Sequence, residues 1–169
     1  IFEIFEGRVV EIEKISFVGN REFSDRRLRR VLSSKQAGFL RKIIVKDTMI
    51  EEKISLDKRL LTDFYRSRGY VDFKVNNVNT ELSEEKDGFF VTYNITEGPK
   101  FAIGDVKLTS KIKEVSVSDW KNLQNLQSGD IFSPNIIQFE VARLEEKLQA
   151  SGLEFVRVIP EISKNMNNL

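Results

Sequence analysis

The 169-residue chain contains no cysteine and no histidine. The first absence removes disulfides, thiolate metal sites and a cysteine nucleophile. The second removes the commonest general base, the commonest zinc ligand and the usual pH switch. Proline occurs three times and tryptophan once. No apolar run approaches the roughly 20 residues that a membrane-spanning helix needs. The first residues, Ile1-Phe2-Glu3-Ile4-Phe5-Glu6, carry acids where a signal peptide has a basic segment, and no initiator methionine precedes them. They read as a cut from a longer chain. P-loop, dinucleotide, EF-hand and zinc-protease motifs are missing as well. The carboxylate pairs Glu51-Glu52, Glu84-Glu85 and Glu145-Glu146 are adjacent in sequence and therefore diverge. These absences predict a non-enzyme with no catalytic residues, no metal site and no cofactor.

What is present is a globular composition, 40% hydrophobic and 31% charged, with 13 phenylalanines. Net charge is only +1, which gives no bulk attraction to nucleic acid, and none is expected as a partner. The charges are unevenly spread, however. Nine basic residues between Arg21 and Lys46 face only Glu22 and Asp25. Arg26, Arg27, Arg29 and Arg30 lie within one short helical segment of that stretch. They form a second candidate surface, an electrostatic one, suited to anionic lipid, an acidic partner or nucleic acid.

A repeat organises the chain. Ile4-Phe5-Glu6-Gly7, followed by Ile12, Ile15 and Phe17, recurs 91 positions later as Ile95-Thr96-Glu97-Gly98, followed by Ile103, Val106 and Leu108. Arg68-Gly69-Tyr70-Val71-Asp72-Phe73-Lys74-Val75 matches Ser151-Gly152-Leu153-Glu154-Phe155-Val156-Arg157-Val158 at an offset of 83. Three segments follow: residues 1–7, the last strand of a preceding module; 8–98, a complete module; and 99–169, a second module ending before its third strand.

In the complete module, a strand over Val9–Val18 ends at the turn pair Gly19-Asn20. Ser24 is the expected N-cap of a first helix with Leu28, Val31 and Leu32 on its apolar side. A second helix covers about Ile50–Arg68 and is capped by Gly69. Alternation then predicts a second strand over Tyr70–Leu82 and a third over Phe89–Ile95. The fold class is α+β, in tandem β-α-α-β-β modules. Each has a three-stranded mixed sheet of order 1-3-2, covered on one face by a helical hairpin. In the second module, strands are expected at Phe101–Thr109 and Leu153–Ile162, and helices at Ser118–Leu126 and Asn135–Ala150.

This order leaves the second strand on an edge. Its alternation slips after Val75, because the next apolar residue is Val78, so a bulge is expected near Asn76–Asn77. An edge can accept an extended guest by backbone hydrogen bonding, or can simply be blunted by charges such as Asp72 and Lys74. The candidate partner-binding edge is Tyr70, Val71, Asp72, Phe73, Lys74, Val75, Asn76, Asn77 and Val78. A further expectation concerns Ile1, Phe2, Glu3, Ile4, Phe5 and Glu6. This strand-like segment could complete the second module of another copy, giving a strand-exchanged homo-oligomer.

The motifs Ile15-Ser16-Phe17-Val18-Gly19-Asn20, Phe23-Ser24, Phe64-Tyr65-Arg66-Ser67-Arg68-Gly69-Tyr70-Val71-Asp72-Phe73, Asp87-Gly88-Phe89-Phe90-Val91-Thr92 and Ile95-Thr96-Glu97-Gly98-Pro99 together resemble POTRA domains. These are the polypeptide-transport-associated modules of outer-membrane β-barrel assembly factors in Gram-negative bacteria. The longer module looks like the third of such an array and the shorter like the fourth. The resemblance implies a periplasmic location and a membrane barrel carboxy-terminal to this region. As partners it implies unfolded outer-membrane proteins and accessory lipoproteins of the assembly machinery, with β-augmentation on the edge strand of the first module. Related transporters and division proteins use similar modules.

Overall fold

The structure, a computed structural model, describes residues 11–34, 48–83, 88–112, 116–118, 125–153 and 155–165. The chain divides into two compact units: Ile1–Tyr65 with Asp72–Gly98, and Arg66–Val71 with Pro99–Leu169.

The first unit is built from β1 (Glu11–Val18), α1 (Asp25–Val31), α2 (Thr48–Arg66), β2 (Lys74–Leu82) and β3 (Gly88–Thr96). The sheet order is β1-β3-β2, with β3 parallel to β1 and antiparallel to β2. This is the mixed 1-3-2 arrangement expected from the connections. A helical connection turns the chain over between β1 and β2, and the short β2–β3 connection brings β3 into the centre.

Both irregularities in the apolar pattern are structural. Ile12, Ile15 and Phe17 are all buried, although 12 and 15 have opposite parity. The β1–β3 register shifts between Ile12 and Lys14, so an extra residue, Glu13, restores the inward face. In β2, Asn76 has no partner in β3, and the register shifts between Val75 and Asn77. That is the bulge the slipped alternation predicts.

The inward face of β3 carries Val91, Tyr93 and Ile95, all buried, while Phe90 and Thr96 on the other face are exposed. α1 contributes Leu28, and Leu32 follows at its C-terminal end; α2 contributes Leu61 and Tyr65, and all four are nearly inaccessible. Ser24 caps α1 as expected, its Oγ accepting from the Arg27 N–H at 3.4 Å. The preceding turn needs Gly19, which sits at φ +94°. A Cβ there would be strained and would also overlap the Ile95 carbonyl.

Two buried carboxylates knit the helices to the sheet. Asp57 of α2 is fully buried. It accepts from the Ser33 N–H (2.6 Å) and hydroxyl (2.7 Å), the Ser34 N–H (3.2 Å) and the Tyr93 hydroxyl (3.0 Å). The chain leaving α1, helix α2 and the central strand thus converge on one side chain. Burial, then the charge and hydrogen bond of Asp57, push the Tyr93 hydroxyl far above its ordinary pKa, so it stays a donor. Glu97, just after β3, accepts from the Tyr65 hydroxyl at 2.8 Å and from the Glu22 N–H at 3.2 Å.

In the second unit the main element is α3 (Pro134–Ala150), close to the expected span. Phe101, Ile103, Leu144 and Leu148 are its buried apolar residues, joined by Tyr70. Glu140 on α3 is also buried. Burial raises its pKa, but hydrogen bonds from Arg143 and the Asn125 N–H, with the charges of Arg143 and Lys147, outweigh this. The net shift is downward.

The two strands expected in this unit are not found among the described residues. Around Phe101–Thr109 there is one isolated bridge, Ala102 to Ile131, and the described residues of 153–162 form no ladder. The physical reason lies in the topology. In a 1-3-2 sheet the first and second strands pair only through the third, and no third strand is found among the described residues of this unit. The first helix expected there, Ser118–Leu126, falls mostly on residues 119–124, outside the described residues; Val117 and Ser118 are helical.

Candidate functional site

The candidate edge strand begins four residues later than its alternation predicts. Tyr70–Phe73 are not strand: Gly69 at φ +94° turns the chain, and residues 71–72 continue the turn. The buried side chains are Tyr70 and Phe73, three apart, a spacing that no strand presents on one face. Phe73 is held by stacking on Tyr65 of α2, with ring centroids 4.0 Å apart and planes within 10°. Tyr65 is in turn fixed by Glu97, beside Thr96, which pairs with Lys74. The start of β2 is therefore anchored through both Phe73 and Lys74 before the strand becomes free. Tyr70 and Phe73 serve packing, and Val71 and Asp72 are half-buried turn residues.

From Lys74 onward the geometry changes. Lys74, Asn76, Asn77, Asn79, Thr80, Glu81 and Leu82 are exposed, and only Val75 and Val78 are half-buried. One margin of β2 pairs with β3 on both sides of the bulge. Along the other, among the described residues, no backbone group of β2 bonds to anything outside the sheet. Asn76 Nδ2 donates to Thr96 Oγ1, and Asn77 Nδ2 to Asn79 Oδ1, both at 2.9 Å. These side-chain bonds hold the bulge. The result is a strand with an open row of donors and acceptors and a polar outer face.

The opposite edge differs. Arg29 Nη1 donates to the Ile15 carbonyl of β1 at 3.1 Å and lies 3.7 Å from Asp25 Oδ2. Arg29 thus leaves the electrostatic patch to which its sequence position assigns it, and serves as a brace between α1 and β1. Arg26, Arg27 and Arg30 remain exposed on α1. The strand-exchange segment Ile1–Glu6 lies outside the described residues. Among the described residues no group of three acidic, cysteine or histidine side chains is arranged to hold a metal ion.

A model of the POTRA family, described as "Surface antigen variable number repeat", matches residues 10–98. The chain belongs to the POTRA family. Its POTRA sequence is 31% identical, over 96% of this chain and 22% of the relative, to the outer membrane protein assembly factor BamA of Neorickettsia risticii. It is 24% identical, over 92% of this chain and 19% of the relative, to BamA of Neisseria meningitidis serogroup B. The chain thus spans about a fifth of the length of these curated relatives. In fold it is similar to the crystal structure of POTRA domains 3–5 of Haemophilus influenzae BamA. The TM-score is 0.62 and the identity 17%, covering 83% of this chain and 55% of that one.

Sequence reasoning missed two buried carboxylates of this POTRA core, Asp57 and Glu97, of which Glu97 fixes the Tyr65 that holds Phe73. Asp57 interrupts the apolar stripe of α2 between Ile54 and Leu61 at a position that must face inward. A charge there was the available signal. Glu97 lies within the Thr-Glu-Gly-Pro motif, where a turn reading leaves the carboxylate exposed.

Proposed function

We propose that this chain is a non-catalytic scaffold and receptor region of an outer-membrane protein assembly factor. It works in the periplasm and binds unfolded outer-membrane proteins and accessory lipoproteins by β-augmentation. Residues 8–98 form the complete POTRA module that carries the binding edge, 99–169 a second module, and 1–7 the last strand of a preceding one. The kinship with BamA supports the assembly role. The observation that carries the binding mode is the outer edge of β2: exposed, held in place at its start, and without a backbone partner among the described residues. Backbone pairing makes little demand on the guest's sequence, which suits a receptor for many different strands.

The test is an NMR titration of the chain with a peptide of alternating apolar and polar residues copied from a barrel strand, at two salt concentrations. Shifts centred on Lys74–Leu82 and insensitive to salt are expected. Asn76→Pro, at the bulge position outside the β2–β3 backbone register, obstructs the edge and gives up only the Asn76–Thr96 side-chain bond. It should weaken binding about tenfold, the worth of one or two ladder hydrogen bonds. Shifts elsewhere, or affinity unchanged by Asn76→Pro while the β3 resonances stay native, would remove the edge from the function.

A further inference from the structure

The arginines of α1 are placed against the helix's own interest. Arg26 and Arg27 occupy the first turn, where the helix dipole disfavours cations. Arg26 and Arg30 are four residues apart, a repulsive like-charge spacing. The acid that could relieve them, Asp25, is already engaged: it accepts from Asn20 Nδ2 at 2.9 Å and lies by Arg29. Among the described residues, no carboxylate comes within ion-pair distance of Arg21, Arg26, Arg27 or Arg30. Leu28 and Leu32 are buried, so at 100° per residue Arg26 and Arg30 lie on the side of α1 opposite the core, with Arg27 beside them. All three are exposed. A local stability cost without a structural return marks a surface kept for a partner.

We propose that this ridge docks the first unit on an anionic phospholipid surface. The ridge is convex and the guanidinium groups project from one short helix, so a flat array of phosphates meets all three without a matching groove. Guanidinium also binds phosphate oxygens in bidentate fashion, better than a point charge does. The attraction is electrostatic, made of contacts each worth about a fivefold change in affinity.

The test is sedimentation of the chain with vesicles of phosphatidylcholine alone or mixed with phosphatidylglycerol. Binding to the mixed vesicles only is expected, and it should disappear near 1 M salt, where the screening length falls to about 3 Å. Arg26→Gln, Arg27→Gln and Arg30→Gln should each weaken it about fivefold and together abolish it. These side chains make no buried contact, so the circular dichroism of the variants should stay native. Lys58→Gln with Arg59→Gln, exposed charges on α2, should leave binding unchanged. No binding to mixed vesicles, equal loss in the α2 variant, or capture of polyglutamate in place of vesicles would each overturn the proposal. The last would make the ridge a surface for an acidic protein.

Discussion

The two units carry related sequence signals and reach different structures. In the first, runs of alternating apolar residues become three strands because β3 lies between β1 and β2 and gives each a ladder. In the second, the run Phe101-Ala102-Ile103 forms one isolated bridge, and Phe155, Ile159 and Ile162 stay 97%, 79% and 60% exposed. α3 forms in both expectation and fact, since a helix satisfies its backbone internally. A strand cannot. The comparison shows that alternation specifies a face, while the ladder that makes the face a strand has to be supplied by a neighbour.

The sharpest way to break this comparison is amide hydrogen exchange. Amides of Val91–Ile95, in the central strand, should exchange at least about a thousandfold more slowly than those of Asp105–Thr109, where no backbone hydrogen bond is found among the described residues. Equal protection would mean that the second unit holds a ladder of its own.

A smaller effect separates the units by their buried acids. Asp57→Ala leaves two N–H groups and two hydroxyls in the first unit without their acceptor. It should cost about 3 kcal/mol or more in denaturant unfolding. Tyr93→Phe, which removes one of those donors cleanly, should cost only about 1 kcal/mol. A near-neutral Asp57→Ala would show that the network is incidental to the packing of α2 on β3.

The smallest effect is the pH response of the second unit. The folded pKa of Glu140 lies below its ordinary value of 4.5. Its contribution to stability is therefore fully present above pH 4.5 and is lost as pH falls through the lower folded value. Thermal unfolding followed at the α3 resonances should show a decline below that pH, and Glu140→Gln should flatten it. A decline of the same size in the variant would assign it to other carboxylates.

Much of the first unit was legible because its signals are local. The N-cap at Ser24, the Gly19 turn and the bulge at Asn76 each depend on a few neighbouring residues. The beginning of β2 is not legible, because Val71, Phe73 and Val75 alternate in sequence, whereas Phe73 is drawn under Tyr65 across the core. In sequence Arg29 is indistinguishable from its neighbours on the helix, because nothing near it reveals that the Ile15 carbonyl lies within reach. The roles of Asp57 and Glu97 are hidden in the sequence for the same reason: their partners are 23 to 75 residues away.

The sequence by itself determined the family, the order of elements in the first unit and the position of β2 at an edge. Periodicity, capping and connection geometry act over short range and leave their mark in the order of residues. The tertiary structure decided where the edge becomes free, which arginines remain available on α1, and which expected strands exist at all. Those outcomes depend on a stacking partner, a carbonyl and a central strand brought close only by folding, and no local pattern encodes them.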